Sequence, residues 1–467
     1  MKLVLPVLAL AVFVSGCSPA ASIRPLYTDD DLKKPVVEPR IEGEWISPNT
    51  EEPDKAGTDE ELWLRWKIAP PDKPGESYST YSVEFRPAKP EPGKGDDVSS
   101  YDVRLVSIGD KLFFDAEFRE HTQGKFEVVP WNSFGLVPAH VVGRILVQQD
   151  FLRISLLEPE WVKDNSPASF QEYFPDKYSD DSIITGSTQE LRDFLVRNAD
   201  NQKALAYAVY LCRPGTDCAA RAAEDALVRT PDDDKLLDDA ASFFLRRGNY
   251  ARAVALRQHR VELRPEDTSL HTDLGDALFF NRDFAGARRE FAAGQKLIRA
   301  TSPAAGWVPA NFVEKTYARA AEGVVWSYFL EGAYAEAVNA AKQYQPAIEY
   351  VSANPLLLSY FSMLRLGRRA AAESLLKEET AKFTGVAEEH LLLLEAQGRV
   401  SEGFRHSDPK SEGLERFRYF GGLQDIATGS PEAARAHLGS AASQRSDSVI
   451  ALAARIELER LGPKPKK

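Results

Sequence analysis

The rhythm of hydrophobic and polar positions changes along the chain and divides it. The first apolar run, Leu3 to Val14, is interrupted only by Pro6. As a helix its twelve residues would rise about 18 Å, short of the roughly 30 Å of a bilayer's hydrocarbon core. With Lys2 before it and small residues after it, the run predicts a secretory leader over residues 1–16. Residues 17–40 show no period. Pro19, Pro25, Pro35 and Pro39 surround the run Asp29-Asp30-Asp31, which predicts an extended, solvated tether. Over 41–186 the period is two. Trp63, Arg65 and Lys67 alternate with Leu62, Leu64 and Trp66, and Tyr81 to Phe85 alternate as well. Val103 to Ile108, Leu112 to Phe118, Val141 to Val147 and Phe151 to Leu157 are rich in β-branched and aromatic residues. Gly109-Asp110 and Gln149-Asp150 fall at hairpin positions. Seven or eight short strands so spaced predict an antiparallel barrel or sandwich. From 187 to 467 the pattern is helical, with an opening helix expected over 189–210.

The helical part repeats. Tyr250, Phe284 and Tyr334 each have an alanine three residues on, Ala253, Ala287 and Ala337, and the first two aromatics stand 34 residues apart. The stretch from Leu274-Gly275 through Phe284, Ala287 and Phe291 is preceded by Ala241, Phe244, Gly248 and Pro265, and followed by Tyr328 and Gly332. These offsets resemble the tetratricopeptide repeat. Looser copies surround Gly367/Ala372/Leu376 and Gly429/Ala434/Leu438, while 300–317 and 377–413 break the period. About five helix pairs are expected. Arg282 departs from the pattern by standing at a turn-glycine position. Arg257 and Arg260 depart from it by facing neighbouring helices, so either their stems reach outward or the register slips there. The fold class is therefore α+β multidomain: an N-terminal antiparallel β-barrel or sandwich, then an all-α solenoid of tetratricopeptide type. The resemblance implies a concave face lined by the first helix of each pair. Carried over residue by residue, that groove comprises Lys235, Asp238, Ser242 and Leu245; Ser269, Thr272, Asp276 and Phe279; and Arg319, Glu322, Trp326 and Phe329. The apolar members either grip a peptide segment or pack against adjacent helices.

Two further resemblances concern the first part. Val14-Ser15-Gly16-Cys17 after the apolar run resembles the bacterial lipoprotein signal, which implies acylation of Cys17 and a membrane anchor of several acyl chains. Ser18 after the cysteine implies the outer membrane, with the mature chain facing the periplasm. Ile41-Glu-Gly43-Glu-Trp45, the strand Leu112 to Ala116, and Leu152 to Leu157 running into Glu160-Trp161-Val162 resemble lipocalin-like domains. That resemblance implies a cup able to hold a small apolar ligand; the other reading is a filled barrel acting as a spacer. The remaining cysteines, Cys212 and Cys218, bracket Pro214-Gly215, a turn signal, and predict a disulfide in an oxidising compartment, the alternative being two free thiols.

Net charge is −12, which argues against nucleic-acid binding because no basic excess exists to displace phosphate counterions. Residues 18–186 carry 19 basic and 32 acidic residues, so the acidity lies on the β-rich part. Asp232-Asp233-Asp234, after Pro231, reads as a helix N-cap. The motifs of hydrolases, phosphate loops, dinucleotide sites and zinc enzymes are absent from the sequence. No cofactor, no metal and no catalytic residue is expected. Two functions remain: a tethered scaffold that binds an envelope protein or peptide segment, and a carrier that passes a small apolar ligand to a partner.

Overall fold

The computed structural model describes residues 20–46, 62–68, 80–87, 97–123, 126–128, 140–167, 170, 183–214, 216, 218–301, 310–344, 352–382, 392–393, 396, 414–443 and 447–463. The leader and Cys17 lie outside these residues. The chain forms two units, 1–231 and 232–467. Among the described residues no helix is long and apolar enough to cross a membrane.

In the first unit eight antiparallel strands close into a barrel. They are β2 (Gly43–Ile46), β3 (Leu62–Ile68), β4 (Tyr81–Pro87), β5 (Asp97–Ile108), β6 (Lys111–Gln123), β8 (His140–Val147), β9 (Phe151–Leu156) and β11 (Tyr207–Cys212). Each pairs with the next, β11 joins β9 to β2, and β8 returns to β6, so the ring has no open edge. Short β1 (Ala21–Ser22), β7 (Phe126–Val128) and β10 (Ile183–Ile184) extend it. Alternation sorts the side chains. Trp66, Val83, Tyr101, Val103, Phe114, Ile145 and Ile154 fill the interior. Val106, Phe113 and Val142 point outward, yet they too are buried, in one cluster with Val162 of α2 (Pro159–Asn165) and with Leu191, Phe194 and Leu195 of α3 (Thr188–Asn198). The continuous apolar runs on β5, β6 and β8 follow from being covered on both faces.

This arrangement moves the domain boundary expected at 186/187. The helix expected over 189–210 ends at Asn198, and Tyr207–Cys212 is the last barrel strand, in register with β9 from Tyr207↔Leu156 to Cys212↔Phe151. Without it, β9 and β2 would present unpaired edges.

The extended tether expected over 17–40 is also corrected for its described residues. Residues 20–34 lie along the barrel wall as a strap. Ala20 donates its N–H to the Leu157 carbonyl (3.3 Å), and β1 pairs with β8 and β10. The Leu26 N–H donates to Asp115 Oδ2 at 2.5 Å, and Asp115, only 2% exposed, meets His140 Nδ1 at 2.7 Å. Arg192 donates to the Leu26 carbonyl and to Asp31. The acidic run is the first turn of α1 (Asp29–Lys33), where Thr28 and Asp31 form a capping box.

The strap leads to the closed end. A short 3₁₀ turn, Pro39–Ile41, precedes Gly43 at φ +106°, and Trp45 then plugs the interior with no exposed surface. Arg213, directly after β11, lays its guanidinium 4.0 Å over the Trp45 ring and donates to the carbonyls of Glu42 (2.6 Å) and Arg40 (2.5 Å). Cys212 and Cys218 stand at disulfide distance, with Cα atoms 5.7 Å apart, and tie this end of β11 to α4 (Ala219–Arg229).

The second unit is all-helical. Its described helices are α5 (Asp234–Arg246), α6 (Tyr250–Leu263), α7 (Thr268–Phe280), α8 (Phe284–Thr301), α9 (Ala310–Glu331), α10 (Tyr334–Gln343), α11 (Asn354–Arg365), α12 (Arg369–Lys382), α13 (Leu414–Ala427), α14 (Pro431–Ala442) and α15 (Val449–Arg460). Successive helices pack as hairpins from α5 to α12 and from α13 to α15, and α7 also meets α9, α9 meets α11, α11 meets α13 and α13 meets α15. Each second helix begins two residues after a left-handed residue: Gly248, Arg282, Gly332, Gly367 and Gly429. Arg282 adopts φ +63° although it is not glycine, at a cost of about 1–2 kcal/mol. Both its Nη atoms hold the Glu459 carboxylate. Buried Phe291 of α8 fills the gap between hairpins. A Cβ on Gly275 would come within 2.5 Å of its ring, and one on Gly323 within 2.6 Å.

Two consequences are measurable. At Gly43 an alanine Cβ would sit 2.7 Å from Arg213 Nη1 in a left-handed conformation. Gly43→Ala is expected to cost about 2–3 kcal/mol by urea unfolding, against about 1 kcal/mol for Gly109→Ala, which meets no neighbour. Equal costs would remove Arg213 from the account. At His140 burial lowers the pKa, but the hydrogen bond to Asp115 and the charges of Asp115 and Glu117 outweigh it against the opposing Arg104, so the net shift is upward. A raised folded pKa stabilises fully below the unfolded value and fades as pH climbs through the folded one. His140→Gln should therefore lower the urea midpoint more at about pH 5.5 than at about pH 9. Equal loss at both would show that protonation contributes nothing.

Candidate functional site

A concavity of about 610 Å³ opens in the helical unit. Its wall comes from α5 (Ser242, Leu245, Arg246), α6 (Arg257), α7 (Asp276, Phe280), α9 (Lys315, Arg319, Glu322, Trp326), α11 (Asn354) and α15 (Val449, Ile450). The volume lies in the range of small-ligand and side-chain pockets. The α9 residues recur at turn spacing, so one stripe of that helix forms a continuous wall. Asp233 caps α5 and Asp267 caps α7, by accepting from the Leu236 and Ser269 N–H groups, and these caps fix where both helices start.

The lining alternates in charge over an apolar floor. Arg319 bridges Asp273 (3.2 Å) and Asp276, and the Asp276 charge raises the Arg319 pKa. Glu322 Oε1 accepts from Trp326 Nε1 (3.1 Å) and Asn354 Nδ2 (2.6 Å), and Arg416 holds the other side of that amide at 2.8 Å. This chain fixes the carboxylate before any ligand arrives. Arg257 is buried and donates to the Asp273 carbonyl at 2.5 Å, and its Nε has no partner among the described residues. Burial pushes the Arg257 pKa down. Lys315 projects into solvent at the edge.

Of the twelve groove residues expected from the sequence, six line this concavity: Ser242, Leu245, Asp276, Arg319, Glu322 and Trp326. The other six are engaged elsewhere. Lys235 pairs with Asp239, and Asp238 pairs with Arg260. Ser269 bonds to the cap Asp267, and Thr272 is buried against the Thr268 carbonyl. Phe279 packs edge-on against Phe280 and Phe284, and Phe329 against Tyr334. Both rings are buried among their neighbours and do not line the concavity. Trp326 also leans on Tyr419 and Phe420, so only part of its indole faces the concavity.

The two arginines that broke the repeat pattern now have places. Arg260 is buried and pairs with Asp234 and Asp238 of α5, while Arg257 enters the concavity. Their stems do not reach outward. Arg246, Asn354 and Ile450 were not foreseen. Asn354 and Ile450 arrive from helices far along the chain, beyond the reach of a repeat register.

The barrel interior is the second candidate. Trp45, Trp66, Tyr81, Tyr101 and Phe114 are all buried there. Burial raises the Tyr101 phenol's pKa, and Trp66 Nε1 has no acceptor among the described residues.

Core and lining roles separate by mutation. Trp326→Ala is expected to cost about 3–5 kcal/mol, as for a buried aromatic. Lys315→Glu should stay within about 0.5 kcal/mol, as for an exposed side chain. Thermal and urea unfolding of the two variants check this; a harmless Trp326→Ala would show that the ring carries no core packing.

No family model and no curated protein sequence matches this chain.

Proposed function

We propose that the chain is a bacterial envelope lipoprotein, held through acyl chains on Cys17 in the outer membrane and facing the periplasm. In this reading it acts as a scaffold rather than an enzyme. The helical unit, a solenoid of tetratricopeptide type, takes a segment of an envelope protein into its concavity. The barrel, of lipocalin-like kind, spaces or orients it. The observation that carries the reading is the concavity itself. Six residues chosen from repeat register converge there, with Glu322 fixed by Trp326 and Asn354 and with Arg257 incompletely bonded. Alternating charge over Leu245, Phe280 and Ile450 suits a peptide segment, whose backbone and side chains need both polar partners and apolar cover.

The alternative is a carrier with a small apolar ligand in the barrel. The indole N–H of Trp66, without an acceptor among the described residues, favours it. The bulky side chains already filling the interior favour the scaffold.

Capture from a membrane extract of the source cells tests the reading. The bait is the full chain, with Lys315→Glu/Ser242→Tyr as its control, since both positions line the concavity outside the deep core. One protein is expected on the wild type and not on the variant, with unchanged circular dichroism. Equal recovery on both would remove the concavity from the function.

A further inference from the structure

We propose that the barrel lies on the bilayer with one defined wall, the one covered by the strap (residues 20–34) and α3. The proposal rests on the reading of Cys17 as acylated, and it adds that the anchor has no slack. From Cys17 to Ala20 the chain advances three residues, a reach of at most about 10 Å. Ala20 is itself buried and tied to the Leu157 carbonyl. Behind it the strap is fastened repeatedly: Ala21 and Ser22 in the sheet, the Pro25 carbonyl to Thr188 Oγ1 (2.9 Å), the Leu26 N–H to Asp115, and Asp31 to Arg192 (2.8 Å). A free tether would let the barrel tumble above the membrane; this one holds the wall at β8 within the reach of the lipid headgroups.

A second observation concerns what that wall exposes. Leu32 on α1 is 41% exposed and Val196 on α3 is 37% exposed, and the Arg192–Asp31 pair joins the two helices. Lys33 and Arg197 stand next to them, exposed. Apolar side chains beside long cationic stems suit the headgroup zone. Asp29, Asp30 and Asp193, exposed on the same helices, offset that charge, so the partner is a zwitterionic lipid surface rather than an anionic one. The opposite wall is β3, four strands from β8 in either direction round the ring, and it presents exposed Lys67.

The test uses the full lipidated chain, purified from membranes and reconstituted into phosphatidylcholine vesicles with nitroxide-headgroup lipid. Gln189→Cys on α3 and Lys67→Cys on β3 each carry a thiol-reactive fluorophore. Several-fold stronger quenching at 189 than at 67 is expected, and Leu32→Glu/Val196→Glu should reduce the difference while flotation persists. Equal quenching, or stronger quenching at 67, on floating acylated protein would overturn the orientation alone. A chain that neither floats with vesicles nor shows an acylated Cys17 by mass spectrometry would overturn the anchor reading, and the orientation with it.

Discussion

A charge taken out of water must find a partner, and in both units that requirement decides where distant segments meet. An unpaired buried carboxylate or guanidinium would cost several kcal/mol. Asp115 escapes that cost only by holding His140 and the Leu26 N–H, and so fastens the strap to the barrel. Arg213, half-buried at the closed end, donates to two carbonyls there. In the helical unit Glu457, with no exposed surface on its side chain, is held by Arg365 (2.7 Å) and Arg460 (2.5 Å), and Arg460 also reaches the Leu330 carbonyl. The last helix is thereby locked to α11, across 92 residues of chain, and to α9, across 130. Apolar burial supplies the driving force in each case, and the polar pairs choose among arrangements that would bury similar area.

The concavity is a product of the same rule. Asp caps fix the starts of α5 and α7, left-handed turns set the second helices against the first, and the polar and charged residues of these helices bond to one another. Arg260 takes Asp234 and Asp238, Arg319 takes Asp273 and Asp276, and Glu322 takes Trp326 and Asn354. Arg257, whose Nε has no partner among the described residues, faces the open volume. A partner segment entering there would meet fixed polar groups and a fixed apolar floor, with little left to reorganise.

Much of this was legible in the sequence where it depends on local period. Alternation located β3 and β4, runs of β-branched and aromatic residues located β5, β6, β8 and β9, and the 34-residue spacing located the hairpins with their buried Ala253 and Ala287. What escaped depends on contacts far apart in the chain. Tyr207–Cys212 is a continuous apolar run with no alternation, and a helical reading from residue 189 absorbed it; only the need to close the ring sets it apart. The strap looked like a tether because prolines and aspartates suggest solvent, and Asp115 lies 89 residues from Leu26. Of the expected groove positions, Arg319, Glu322 and Trp326 on α9 line the concavity, while Phe279 and Phe329 pack among neighbouring rings, since a rotation of one residue turns a ring from the concave face to the neighbouring helix.

The central claim is that the concave face of the helical unit is where this protein meets its partner. Hydrogen–deuterium exchange on the full chain, with and without the purified captured protein, addresses it most directly. Slowed exchange over α5, α7 and the 315–326 stripe of α9, with the barrel strands unchanged, is the predicted result. Protection confined to the barrel, with those helices exchanging as before, would contradict it.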